Sequence, residues 1–334
     1  MKVNVISESQ YIKEKFGGIH IAFINHVALL KKKGVDVVIN SLGKADLVHI
    51  HSYGPFALFK MLTSREPKVA ITHIVPESLV GSYRGGKFFF NLIKKYLIFF
   101  YNRADLIIAV NPKSKKDLEA LGVKARIEVL PNQINSAVIR KDEKLRHKGR
   151  DKYGFTSRDF VIVSAGRQSP RKGVHDFVRL AKKFPQLQFV WAGGKEADVL
   201  NAQTPEEKAI LENPPVNMHF LGTVSYETMG MIFNMGDILV FPSHQETQGL
   251  VIIEAAVCGL PVVVRDLPEY RQEYQEGYIA CDSLEEFEQA IRKLHDNKAY
   301  YHKQVEESAK LAAKFSDAII GDKMIELYQS LLTQ

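Results

Sequence analysis

Glu246 and Glu254 stand eight positions apart, on either side of Gly249, in the stretch SHQETQGLVIIEAAVCGLP, which is otherwise apolar enough to be buried. Carboxylates in such a setting need partners. A helix beginning near Gly249 leaves the amides of Gly249, Leu250 and Val251 as unpaired first-turn donors with the positive end of the helix dipole behind them, which makes a seat for phosphate. Glu246 then lies in the loop before the seat, within reach of a group attached to the phosphate. Glu254 lies over a turn inside the helix, placed to accept from ribose hydroxyls. On this reading one carboxylate serves a sugar, the other a nucleoside, and the amides between them hold a diphosphate. The simpler alternative is an acidic first turn that only complements the dipole.

A second group of residues points to the same chemistry. After the strand-like run FVIVSAG comes GRQSPRKG, where Arg167 and Lys172 flank a Pro-containing turn ahead of a helix expected near Val174. Arg offers a fork for phosphate oxygens and Lys a point charge, so the two can offset a diphosphate leaving group without a metal. In the first half, Gly17 and Gly18 follow the first strand, where glycine lets backbone approach a ligand. His49 and His51 alternate in DLVHIHS and so share one face of a strand, and His73 ends the strand KVAITHI, where a histidine can take a proton or hydrogen bond from a hydroxyl. No Asp-x-Asp and no His/Cys cluster with ligand spacing occurs in the sequence, so neither a metal nor a cofactor is expected.

These residues must be held by elements, and the elements are legible. Short β-branched runs (KVNVIS, VDVVIN, DLVHIH, KVAITHI, DLIIAV, RIEVLP) alternate with amphipathic stretches, and the rhythm restarts after a charged segment with FVIVSAG, QFVWAG, MHFLG, ILVFPS, PVVV and YIAC. Alternation of that kind signals parallel α/β sheets. The charged segment, Arg140 to Lys152, reads as an interdomain linker. Two doubly wound, Rossmann-like domains are therefore expected, residues 1–145 and 146–315, facing a central cleft, with a terminal helix over 316–334 crossing back to the first. Functional residues belong just after strands, where ligands bind in open parallel sheets.

The 334 residues suit two domains, and 46% hydrophobic with 25% charged residues is the composition of a globular chain with no run long enough to span a bilayer. MKVNVISESQ reads as a first strand rather than an export signal, so a cytoplasmic location is expected. Cys258 and Cys281 have neither metal nor disulfide spacing. The net charge of +7 is divided: residues 1–150 hold 26 Lys and Arg against 12 Asp and Glu, whereas the remainder holds 19 against 26. A basic half suggests an anionic surface.

In order along the chain, FGGIHIA, DLVHIHS, ITH, GRQSPRKG and the long stretch from VNMHFLGTVSYET to ETQGLVIIEAAVCGLPVVV together resemble a family-4 retaining glycosyltransferase of GT-B fold. The resemblance covers nearly the whole chain, and the Glu-x7-Glu pair with its central Gly is its most specific part. It implies that Glu246 contacts the donor sugar, Glu254 the ribose, and Arg167 and Lys172 the diphosphate. Gly17 and Gly18 would close over the phosphates, His73 would stand near the reacting centre, and backbone at Thr223 and Val224 would hold the base of a uridine diphosphate carrier. Two positions depart from the pattern: Gln248 replaces a common Phe, which leaves the sugar open, and Asn132-Gln133 replaces a usual Asn-Gly pair.

The acceptor is suggested by residues 81–103, GSYRGGKFFFNLIKKYLIFFYNR, where Arg84, Lys87, Lys94 and Lys95 are interleaved with Phe88, Phe89, Phe99 and Phe100. Phe89, Ile93, Tyr96 and Phe100 form one helical stripe. The segment can pack inward or lie in a lipid interface, and the basic first half favours membrane contact. The basic first half and the wording ETQGLVIIEA resemble bacterial diacylglycerol and glucosyl-diacylglycerol glycosyltransferases, which implies transfer of glucose or galactose from UDP-glucose or UDP-galactose to a glycerolipid (diacylglycerol or a monoglycosyl-diacylglycerol) at the inner face of the cell membrane. Extension of a capsular or lipid-linked polysaccharide is the near alternative, and a nucleotide-sugar epimerase or a non-enzymatic nucleic-acid-binding protein using the basic half are further ones. A nucleic-acid partner is not expected, because no recognition helix, zinc finger or aromatic RNA-binding motif is present.

Overall fold

The computed structural model describes residues 1–11, 18–73, 87–195 and 205–333, with backbone alone at 10, 87–90 and 205–207. Among the described residues, twelve strands and thirteen α-helices follow one another as β1 (Lys2–Ile6), α1 (Gly18–Lys32), β2 (Asp36–Ile39), β3 (Leu47–Ile50), α2 (Pro55–Thr63), β4 (Lys68–Thr72), α3 (Lys87–Tyr101), β5 (Leu106–Ala109), α4 (Pro112–Ala120) and β6 (Ile127–Val129). The run continues with α5 (Glu143–Tyr153), β7 (Val161–Ala165), α6 (Val174–Lys183), β8 (Gln188–Ala192), α7 (Pro205–Glu212), β9 (Met218–Phe220), α8 (Tyr226–Met235) and β10 (Ile238–Phe241). It ends with α9 (Leu250–Val257), β11 (Val262–Arg265), α10 (Pro268–Glu273), β12 (Ile279–Cys281), α11 (Leu284–Asp296), α12 (Lys298–Lys314) and α13 (Asp317–Leu332). The chain divides into two compact units, Met1–Asn135 with Phe315–Gln334, and Ser136–Lys314.

Each unit holds one six-stranded parallel sheet, ordered β2-β1-β3-β4-β5-β6 in the first and β12-β11-β10-β7-β8-β9 in the second. Strands buried on both faces read as near-continuous apolar runs, which is why KVNVI and VIVSA were recognisable. In unit 1, Phe23, Val27 and Leu30 of α1 cover one face together with Ile320, Met324 and Tyr328 of α13. The other face is covered by Ala57 and Met61 of α2, Leu97 and Phe100 of α3, and Leu118 of α4. In unit 2, Val174, Phe177 and Leu180 of α6 pack with Phe287 and Ile291 of α11 over Phe189 and Trp191 of β8.

The charged segment read as a linker is a helix instead. α5 spans Glu143–Tyr153, with Asp142 accepting from the amides of Lys144 and Leu145 at its start and Gly154 in the left-handed conformation at its end. Its anchoring is polar rather than apolar, so hydrophobic periodicity does not reveal it. Arg146 and Arg150 both reach Asp237, at 2.6 and 2.8 Å, and Arg146 also donates to the carbonyls of Asn234, in the last turn of α8, and Gly236, just beyond it. Cations belong at a helix C-terminus, where unpaired carbonyls carry partial negative charge.

Candidate functional site

In unit 2 the strand order reverses direction between β7 and β10, which lie side by side although the chain visits β8 and β9 between them. Their carboxyl-end loops are left adjacent, and that is where an open α/β sheet binds ligands. The loop after β7 is GRQSPRKG and the loop after β10 is PSHQETQG. Both segments singled out from sequence therefore meet at one point.

The meeting is a buried ion pair. Lys172 Nζ donates to Glu246 Oε1, with the lysine side chain 16% exposed and the glutamate 8%. Ser243 Oγ donates to the same carboxylate oxygen at 2.7 Å. Burial pushes the Lys172 ammonium below its usual range, partly opposed by Glu246, while Arg171 and Arg167 push it further down. Arg167 thus contributes to the same positive field from an exposed position. The loops are clipped together by Arg171, which donates to Gln245 O at 2.9 Å, and by His244 N, which donates to Arg171 O at 2.8 Å.

Beneath these clips, Asp176 accepts from Arg265 at 2.7 Å and Arg179 at 3.0 Å and pairs with His244 at 3.0 Å. Burial alone would raise its carboxyl, but those three partners hold it below the usual carboxylate range.

α9 begins at Leu250 behind Gly249, whose φ of 76° lies in the left-handed region, where glycine is tolerated without strain. The first-turn amides of Leu250 and Val251 are thus presented next to the loop that carries Glu246. Gln248, expected at the donor, is buried and donates through Nε2 to Glu273 Oε1 at 2.8 Å, and its carbonyl accepts from Tyr274 OH. Burial holds the Glu273 carboxyl well above its usual range, against the opposing hydrogen bond from Gln248.

Glu254, 5% exposed in α9, is hydrogen-bonded to Tyr226, and burial pushes its carboxyl up to about 7. Tyr226 is the first residue of α8, directly after the loop that carries Thr223 and Val224, and so it ties that loop to Glu254. Gly194 allows the loop after β8 to approach Thr223, since a Cβ there would stand 2.3 Å from Thr223 Oγ1. Tyr226 and Glu273 were not anticipated. The only sequence signal for the first was a Tyr opening the helix in TVSYET; the second had none.

In unit 1, His73 follows β4 partly buried, its Nε2 3.1 Å from His51 Nδ1, and burial pushes its imidazole down to about 4. Gly18 is the first residue of α1, whereas Gly17 and Arg84 lie outside the described residues, as do the side chains of Lys87, Phe88 and Phe89. The aromatic stripe turns inward: Phe100 is 1% exposed and belongs to the core with Leu97, Ile93 and Tyr96, which removes it from any lipid-facing set. A different face of α3 is open, with Leu92 56% and Phe99 42% exposed beside exposed Lys95, and Arg103 stacked 3.8 Å over the Phe99 ring. On α2, Phe59 and Leu62 are exposed as well. Among the described residues, no helix is long and apolar enough to cross a membrane.

Residues 146–311 match the family described as glycosyl transferases group 1, and residues 10–138 match glycosyltransferase family 4. The chain is 30% identical to the alpha-galactosylglucosyldiacylglycerol synthase of Streptococcus pneumoniae, over 98% of this chain and 89% of that protein. It is 26% identical to the processive diacylglycerol alpha-glucosyltransferase of Acholeplasma laidlawii, over 99% of each. Among solved structures, Anabaena HepE in complex with UDP and glucose superposes with a TM-score of 0.76 at 18% identity, covering 99% of this chain and all of that one. Sucrose-phosphate synthase from Thermosynechococcus elongatus gives 0.78 at 16% identity, covering all of this chain and 99% of that one.

Proposed function

Because the chain belongs to the family-4 glycosyltransferases of GT-B fold, we propose that it moves glucose or galactose from a uridine-diphosphate sugar to a membrane glycerolipid, diacylglycerol or monoglycosyl-diacylglycerol, forming an α-glycosidic bond with retention. The observation that carries the donor half is the Lys172–Glu246 pair at the β7/β10 switch point, beside the first turn of α9. Lys172, Arg167 and the amides of Leu250 and Val251 offset the charge on the departing diphosphate. Glu246, held by Ser243 and Lys172, receives sugar hydroxyls. Glu254 takes the ribose, and backbone at Thr223 and Val224 the base. The acceptor attacks on the face the diphosphate leaves, whose oxygen takes the acceptor's proton, so the chemistry uses neither a cofactor nor a metal. His73 orients an acceptor or sugar hydroxyl.

The lipid half rests on the names of the two relatives, on the basic first half, and on the exposed Leu92, Lys95 and Phe99 with Arg103 on and just beyond α3, a pairing suited to peripheral binding at the inner membrane face. The test is an assay with UDP-glucose and UDP-galactose against vesicles containing diacylglycerol, with Mg2+ and Mn2+ omitted. An α-glycosyl lipid is the expected product, and vesicle binding is expected to need anionic lipid and to weaken as salt screens it. Transfer to a glycan but not to lipid, or vesicle binding indifferent to charge and salt, would overturn the acceptor assignment.

Glu254 yields a second expectation. Its carboxyl rises from 4.5 to about 7 in the folded chain, so its neutral form is favoured by folding; the associated stability is complete below 4.5 and is lost as pH rises toward 7. Glu254→Gln removes that dependence and is expected to make unit 2 more stable than the native chain at pH 8, by up to roughly 3 kcal/mol. The same substitution weakens UDP binding by about tenfold or more, since an amide is a poorer acceptor for ribose hydroxyls than a carboxylate. Urea titrations at pH 5 and 8, with calorimetry of UDP, check both; unchanged UDP affinity would remove Glu254 from the nucleoside site.

A further inference from the structure

Three histidines gather in the core of unit 1. His26 on α1, His49 on β3 and His51 just past its end are each at most 1% exposed, with ring centroids 4.3, 4.7 and 4.8 Å apart. Each ring is bonded through one nitrogen: His26 Nε2 to Tyr328 OH at 2.9 Å, His49 Nδ1 to the same hydroxyl, and His51 Nδ1 to His73 Nε2 at 3.1 Å. Among the described residues, the opposite nitrogens, His26 Nδ1, His49 Nε2 and His51 Nε2, are buried without a partner.

Protons alone do not balance this arrangement. If Tyr328 donates to one ring, that neutral ring must carry its own hydrogen on the orphaned nitrogen. If both rings donate to Tyr328, the hydroxyl hydrogen is stranded. Each orphaned polar group costs about 1–3 kcal/mol, and such groups in a native core call for an ion or a water. A ring with one N–H held by an acceptor and the opposite lone pair bare is the form of a metal-bound imidazole. One ligand-capable nitrogen from each of the three rings lies within 4.8 Å of those of the other two.

We propose that His26, His49 and His51 bind a divalent transition-metal ion, Zn2+ first among them, that ties α1, β3 and α13 together in unit 1. Bonds of about 2.0–2.1 Å in tetrahedral geometry bring ligand nitrogens to roughly 3.3 Å, so ring shifts on the order of an ångström close the site. Burial keeps the three rings uncharged at neutral pH, the state a ligand requires. With the ion bound, His26 and His49 would donate through their other ring nitrogens to the Tyr328 oxygen, which fixes the orientation of both rings. His51 donates through Nδ1 to His73 Nε2, which leaves the His73 hydrogen on Nδ1. This ion takes no part in the transfer chemistry.

The test uses the full chain made without a histidine tag, stripped with dipicolinate and titrated with Zn2+ alone. One equivalent is expected to bind at micromolar or lower concentration and to raise Tm with increasing Zn2+. Co2+ is expected to give visible d–d bands. His26→Gln and His49→Gln are expected to weaken binding at least about 100-fold, and Tyr328→Phe about 10–100-fold.

A folded native chain with no saturable uptake of Zn2+ or Co2+, or uptake unchanged in the histidine variants, would overturn the site. Should those variants fail to fold, X-ray absorption of the zinc-loaded native chain decides: imidazole ligation sustains the proposal and its absence ends it. None of these readouts depends on transferase activity, so their failure leaves the donor-site reading standing.

Discussion

Replacing Lys172 with alanine is expected to lower kcat by about 100- to 1,000-fold, the cost of removing one preorganised charge aimed at a departing anion. Two effects must be separated in that variant. Glu246 remains 8% exposed, keeps its hydrogen bond from Ser243, and loses its cation, and breaking a buried pair from one side costs about 3–5 kcal/mol of stability.

Lys172→Met retains the stem, and Lys172→Met with Glu246→Gln removes both charges, so the double variant is expected to regain most of the lost stability without regaining turnover. Steady-state kinetics beside denaturant titrations distinguish these outcomes. If folded Lys172 variants keep kcat within about threefold of the native value, the lysine has no part in the chemistry and the pair is structural.

Gly173→Ala is expected to destabilise unit 2 by at least about 3 kcal/mol and to abolish UDP binding with it. Gly173 has φ 73°, and a Cβ there would stand 2.1 Å from the Pro242 carbonyl oxygen. The loop after β7 and the loop after β10 touch at this residue, so the added methyl must part the two segments that bring Lys172 to Glu246. Gly154→Ala is the matched control: φ is 77° there, but nothing lies within 4 Å of the added atom, and the expected cost is about 1 kcal/mol. If Gly173→Ala proves no worse than Gly154→Ala in urea titration and UDP calorimetry, close loop contact is not what assembles the site.

Much of the framework was readable along the chain because its causes are local. Runs such as KVNVI and ILVF are too short and too β-branched for helices, and each became a strand of a parallel sheet. The terminal helix expected over 316–334 is α13, Asp317–Leu332. α5 escaped because its anchor is Asp237, 91 residues beyond Arg146, and no window of sequence contains both. Phe100 was assigned to the wrong face for a similar reason. Periodicity shows that α3 has an apolar stripe, but only the sheet beneath it decides which side of the helix is covered.

For the site, residue type and spacing alone determined the candidates: two carboxylates about a glycine ahead of a helix, and two cations in a turn after a strand. Only the tertiary structure decided that Lys172 and Glu246 pair, that Glu254 is desolvated enough to hold a proton near neutral pH with Tyr226 against it, and that Gln248 is bound to a buried Glu273. It also brought His26, His49, His51 and Tyr328 together from positions up to 302 residues apart. Caps, turns and strand propensity act within a few residues. Burial and charge pairing depend on which strands lie side by side, and that order belongs to the sheet as a whole.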